Sequence, residues 1–248
     1  MELLFDQKQF QNQSEDTNAL QTSKWHLLSL NNSKEDKEAS IMKSIVFRND
    51  PLFLRNEFEV EGKWQLPLVR RQIFDIDNIE LIAVSDTKYN DVDVNRRKGV
   101  HFFVDDYKFE SVYKNPERAL VRLSQYAFAC TPDFSTYTNM NYWRQLESVA
   151  HSRWCGAFWQ DQGMNVIPTI SWGLPDSYDF CFSAVEKHSM VAIGMIGCKH
   201  SKDEFLDGYF EMLKRIEPYR ILCFGKPFDE MDGDIVVVDY ISSRKVAR

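Results

Sequence analysis

Asp86, Asp105, Asp133, Lys199 and Lys226 share a setting: each stands where a short apolar, β-rich run gives out. "IELIAVSD" closes on Asp86, "GVHFFVDD" on Asp105 and Asp106, and "YAFACTPDFS" carries Asp133 with Ser135 two residues on. "NVIPTISWG" presents Ser171 and Trp172, "MVAIGMIGCKHS" runs through Cys198 and Lys199 to Ser201, "YRILCFGKP" offers Lys226, and "DIVVVDY" ends on Asp239 and Tyr240. If these runs are strands of one parallel sheet, the residues crowd a single rim, where parallel α/β folds bind ligands. Several carboxylates there support general acid–base chemistry, or binding of Mg²⁺. Asp133, Asp86 and Asp105 are therefore the catalytic candidates. Lys199 stands two residues after Gly197 and Lys226 directly after Gly225, each at a run's end, and Ser201 opens a helix whose free N–H groups favour an anion. With Trp172 as a stacking platform, these form the ligand-binding candidates.

Each residue also has a plainer reading. An aspartate at a strand end often only ties down the next turn. Gly-Lys is a common turn pair, and a tryptophan beside a core strand is often packing. No H-E-x-x-H, G-x-S-x-G or complete Walker sequence occurs, and no C-x-x-C suggests a zinc site. Cys198 and His200 are two residues apart, a spacing that seldom aligns a nucleophilic dyad. No metal ligand set is assigned, and no cofactor beyond compatibility with Mg²⁺.

The elements that would position these residues alternate. Helical patterns separate the runs at roughly 30-residue intervals, as in βαβ units and a parallel sheet. "NPERALVRLSQ" reads as a helix capped by Asn115, with Pro116 at its first position. "NMNYWRQLESVAHSRWCGAFWQDQG" reads as a helix ending at Gly163, with Trp143, Trp154, Phe158 and Trp159 in the core. "PDSYDFCFSAVEKHS" and residues 202–217 complete the set, the latter with a Ser201–Glu204 capping box and a stop before Pro218. The linker "TKYNDVDVNRRK" reads as polar turns. His101 opens an apolar run and reads as packed, while His151 and His188 read as surface residues. About seven nearly continuous apolar runs predict an α/β fold with both sheet faces covered. The sheet is either TIM-barrel-like, complete or distorted, or doubly wound. No glycine-rich first turn supports a dinucleotide-binding Rossmann domain.

Residues 1–44 are polar and read as a flexible extension with a short helix near Trp25–Leu30. Residues 45–248 then form a single domain, entered through a strand or hairpin within 45–78. A net charge of −7 and a pI of about 5.3 argue against coating nucleic acid by bulk charge. Five cysteines, an odd number without paired spacing, read as reduced buried thiols. No run is long enough to span a bilayer and no secretory leader is recognised, so a cytoplasmic protein is expected.

"EGKWQLPLVRRQ", "VSDTKYND", "KGVHFFVDDYKFE", "RWCGAFWQDQG", "VIPTISW", "VAIGMIGCK" and "MLKRIEPYRILCFGKPF" together resemble an uncharacterised family, domain of unknown function 4417. The resemblance covers roughly residues 55–240. It implies a phage, plasmid or other mobile-element setting and brings no catalytic assignment. Two functions follow as expectations. One is an enzyme-like α/β protein binding an anionic, phosphate-bearing ligand, a nucleotide or nucleic-acid end, at the strand ends. The other is a non-catalytic factor that engages a host or anti-phage defence protein. A helix-turn-helix regulator is disfavoured, because no basic helix stands out.

Overall fold

The structure, a computed structural model, describes residues 37–89, 91–239, 241 and 243. The expected helix near Trp25–Leu30, Tyr240 and most of the basic tail lie outside the described residues. The chain divides into two units, Met1–Glu57 and Phe58–Arg248.

In the first unit, helix α1 covers 37–48, so the expected boundary at residue 44 falls inside a helix. Helix α2, Pro51–Leu54, starts where Asp50 accepts a hydrogen bond from the Leu52 N–H and Pro51 takes the first position. Ile41, Ile45, Val46, Phe47 and Phe53 are exposed, with the Phe47 and Phe53 rings 4.4 Å apart.

The second unit opens on an antiparallel pair, β1 (Val60–Glu61) and β2 (Leu66–Pro67), as the hairpin reading expects. All seven apolar runs then become parallel strands: β3 (Glu80–Ala83), β4 (Lys98–His101), β5 (Phe128–Cys130), β6 (Val166–Ile167), β7 (Met190–Gly194), β8 (Arg220–Phe224) and β9 (Ile235–Val238). They form two sheets, β3-β4-β5-β6 and β7-β8-β9, rather than one sheet of seven. Each strand pairs with the next in sequence, without the reversal of a doubly wound order. One parallel bridge, Thr169 to Ala192, joins the sheets just beyond β6. Its bonds run from the Ile170 N–H to Ala192 (2.8 Å) and from the Ala192 N–H to Pro168 (2.9 Å). Among the described residues no pairing of β3 with β9 closes the set into a barrel.

Side chains alternate along the strands, and each face finds cover. Phe128, Ile167, Met190, Leu222 and Phe224 form one inner cluster drawn from both sheets. The Phe103 ring, just past β4, lies 4.4 Å from that of Phe224 at the end of β8, so the sheets face each other across it. His101 is fully buried there, as expected, 4.8 Å from Phe224. Ile82, Val100, Ala129 and Val166 point the other way, with helices α4 (Ser111–Lys114), α5 (Pro116–Leu123) and α6 (Tyr142–Asp161) contributing to the same cluster. Val191, Ile193, Ile221 and Cys223 pack with α7 (Tyr178–Cys181) and α8 (Lys202–Ile216).

Helix α6 is the central support. Trp154 and Trp159 are buried on it, each worth about 3–5 kcal/mol on truncation. Gly156 allows close approach, since a Cβ there would sit 2.7 Å from Thr131 and 2.8 Å from Val69. Arg153, also buried, donates to the carbonyls of Ser183 (3.2 Å), Thr169 (3.1 Å) and Cys181 (2.7 Å). Desolvation pushes its pKa down to about 10, opposed by Cys181 and Glu61. That guanidinium staples α6 to the end of β6 and to the turn after α7.

Several local expectations differ. Trp143 shares a helical face with Trp154 but is 66% exposed, because contact with the core begins one turn later at Leu146. His151 is not a surface residue; it is half-buried and stacks on Tyr113 at 3.7 Å. His188 is exposed as expected. The helix expected over "PDSYDFCFSAVEKHS" shrinks to a 3₁₀ turn and α7, because Ala184 turns left-handed (φ 58°) and Val185 pairs with Val69. The polar linker holds a short helix, α3 (Val92–Asn95), capped by Asp91. Neither Asn115 nor Ser201 makes the side-chain cap expected of it. No described helix is long and apolar enough to cross a membrane.

Candidate functional site

Four strand-to-helix connections and the start of α8 enclose a cavity of about 900 Å³ at the carboxyl ends of the strands. Residues 103–106 follow β4, Asp133 and 135–139 follow β5, 170–173 follow β6, Gly194 ends β7 and 196–198 follow it; Ser201 immediately precedes α8, and Glu204 and Phe205 lie on it. This is the place where a parallel α/β fold gathers its functional groups.

The carboxylates on this lining are differently engaged. Asp105 pairs with Lys108 at 2.8 Å. Asp106 accepts from the Ser135 N–H (3.1 Å) and the Ser135 hydroxyl (2.9 Å), so both its oxygens hold the loop after β5. Asp133 also lines the wall. Burial pushes its carboxyl up to about 7, the charge of Asp106 adds to the rise, and a hydrogen bond from Ser171 opposes it. Glu204, in the first turn of α8, is exposed on the rim.

Aromatic side chains shape the rest. Phe103 is buried at the junction of the cavity with the inner cluster. Trp172 packs on Phe205 (4.9 Å) and Phe182 (5.7 Å). Gly208 leaves room for it: a Cβ there would fall 2.1 Å from the indole nitrogen. Thr136 is only 8% exposed, lines the cavity, and its hydroxyl has no hydrogen bond among the described residues. Cys198 also lines it, but burial and then the charge of Asp133 push its thiol up to about 11, which disfavours a nucleophilic thiolate.

Of the residues expected from sequence, Asp133, Asp105, Ser201 and Trp172 meet on this lining, and Asp86, Lys199 and Lys226 do not. Asp86 closes a 3₁₀ turn after β3. Lys199 and Lys226 are exposed in the turns after β7 and β8. Among the described residues the lining contains no Lys, Arg or His. Sequence reasoning passed over Thr136 and Phe205 and gave Glu204 to a capping box. Proximity to Asp133 in the loop after β5 is the only signal that could have found Thr136. No group of three or more His, Cys, Asp or Glu is placed to hold a metal among the described residues.

A family profile described as a domain of unknown function, DUF4417, matches residues 58–241, beginning where the second unit begins. The gene 1 protein of Mycobacterium phage L5 is 40% identical over 188 residues, covering 74% of this chain and 81% of that protein. The gene 1 protein of Mycobacterium phage D29 is 37% identical over 180 residues, covering 71% of this chain and 66%, just under two thirds, of that protein. No solved structure matches. The profile takes in well over half of the chain, both relatives align across most of it, and the cavity lies wholly within the matched span: the chain belongs to the DUF4417 family.

Proposed function

We propose that the second unit is an enzyme of the parallel α/β type, a distorted, unclosed relative of the barrel folds, acting on a small ligand at the carboxyl ends of its strands. Asp133 is its general acid–base. The observation that carries this reading is a carboxyl group raised to about 7 on the wall of a cavity of about 900 Å³. A group poised near neutrality can both give and take a proton at working pH. Asp106 supports it in two ways: its charge raises Asp133, and its bonds to Ser135 hold the loop that carries both residues. Trp172, backed by Phe205, offers a face for a ring or an apolar portion of the ligand.

The phosphate-bearing ligand expected from Lys199 and Lys226 finds neither lysine on the lining. The N-terminal end of α8 favours an anion, but it shares the lining with several carboxylates. The relatives are phage gene products, which supports a phage or mobile-element setting for this chain.

The test is a carbon-13 NMR pH titration of the Asp133 carboxyl, together with a thermal-shift screen of small molecules. The expected result is an apparent pKa near 7 and hits that disappear in Trp172→Ala. An Asp133 that titrates near 4 sinks the reading.

A second reading, a non-catalytic factor that engages another protein, is favoured by the apolar residues exposed on α1, Ile41, Ile45, Val46 and Phe47. It wins if Ile45→Glu with Phe47→Glu abolishes the biological effect while Asp133→Asn preserves it.

A further inference from the structure

We infer that the cavity takes a small organic cation, a ligand bearing an ammonium or guanidinium group. The inference rests on the reading of this cavity as a binding site, and adds the class of ligand.

Among the described residues the cavity presents four acidic side chains, Asp105, Asp106, Asp133 and Glu204, and no Lys, Arg or His. Two of the four are already used. Lys108 offsets Asp105, and Ser135 occupies both oxygens of Asp106. Glu204 makes no ion pair among the described residues, and Asp133 has only the Ser171 hydrogen bond named above. Among the described residues no Lys, Arg or His shares the lining with Asp133 and Glu204. A phosphate or carboxylate would meet repulsion there, whereas a cation would relieve it.

The walls point the same way. Phe103, Tyr137, Trp172 and Phe205 place aromatic faces or edges on the lining, and aromatic rings combined with carboxylates are the usual surroundings of a bound organic cation. A further sign of a ligand is independent of charge. Thr136 is buried to more than nine-tenths, lines the cavity and leaves its hydroxyl without a protein partner among the described residues. The side chain is otherwise packed away while its hydroxyl stays open to the cavity, where a polar group of a ligand can bond it.

Binding of a cation should be linked to the proton on Asp133. The groups facing that carboxyl are Asp106 after β4, Cys130 in β5, Ser171 after β6 and Cys198 after β7. None of these is a cation, so the arriving ligand brings positive charge to the carboxyl and displaces its proton.

The experiment is calorimetric titration of the full chain with agmatine, whose guanidinium and ammonium groups stay charged between pH 6 and 8. Sorbitol, inorganic phosphate and a short lysine–arginine peptide serve as comparison probes. Agmatine should bind about 5–10-fold more tightly at pH 8 than at pH 6, as a carboxyl titrating near 7 requires. Asp133→Asn should remove that pH dependence, and Glu204→Gln should weaken binding at least about threefold. The inference is overturned if agmatine does not bind, binds equally at both pH values, or is unaffected by both substitutions. It is also overturned if sorbitol, phosphate or the peptide alone binds as well or better. Failure of the ligand class is distinguishable from failure of the site. A comparison probe whose binding is lost in Trp172→Ala, with Asp133 still titrating near 7, keeps the site and discards the cation.

Discussion

Asp106 holds Ser135 by two bonds, one to its backbone N–H and one to its hydroxyl. The connection after β4 is thereby fastened to the connection after β5. Asp133, two residues before Ser135, is left free of that duty while remaining close enough to feel the charge of Asp106. One carboxylate positions and the other is available.

Asp133→Asn should stabilise the protein, and the gain should depend on pH. The carboxyl is raised from 3.8 to about 7 in the folded state. Below about pH 4 both states are protonated and nothing is lost. Between about 4 and 7 the unfolded chain releases the proton while the folded one keeps it, so stability falls as pH rises; above about 7 the loss is constant. Urea unfolding at pH 4.5, 6 and 8 should show the variant level with wild type at the acid end and about 1–3 kcal/mol more stable at pH 8.

Arg153→Met should be among the most damaging single changes. It leaves the carbonyls of Ser183, Thr169 and Cys181 without their shared donor in a buried place. A loss of about 3–5 kcal/mol is expected in denaturant unfolding, and Arg153→Lys should recover only part of it, because one ammonium cannot span the same carbonyls.

Lys199→Ala and Lys226→Ala should each change stability by less than about 0.5 kcal/mol, since both side chains are exposed. Neither should weaken ligand binding at the cavity by more than about threefold, which parallel titrations of both variants would show. A larger loss in either would return that lysine to the site.

Native thiols should react slowly. Four of the five cysteines are buried, and the half-buried Cys198 is held protonated up to about 11. An aromatic disulfide reagent at pH 7.5 should label no more than one thiol before denaturant is added, and that one without the burst of an activated thiolate.

Much of the fold was legible because both sheet faces are covered. Runs such as "MVAIG" and "RILCF" are apolar throughout, which only strands buried on two sides require. Proline and glycine marked the ends of α6 and α8 for local reasons. What could not be read depends on distant parts of the chain. The division into four and three strands turns on how far β6 pairs before Thr169 crosses to Ala192. The failure at Trp143 came from where the helix first meets its neighbours, which periodicity does not encode. The site followed the same rule. Asp133 and Trp172 were visible as strand-end residues. Lys199 and Lys226 satisfied that description equally, and only the three-dimensional course of the turns separates them from the lining. Glu204 was assigned to its own helix because the cavity it borders is built from other segments.

Phe103 belongs at once to the wall of the cavity and to the aromatic cluster that fills the space between the sheets. With its ring against Phe224, it ties the wall of the cavity to the packing between the sheets. A change of side-chain size at Phe103 would therefore be felt twice, as a reshaped cavity wall and as a loosened joint between the two sheets.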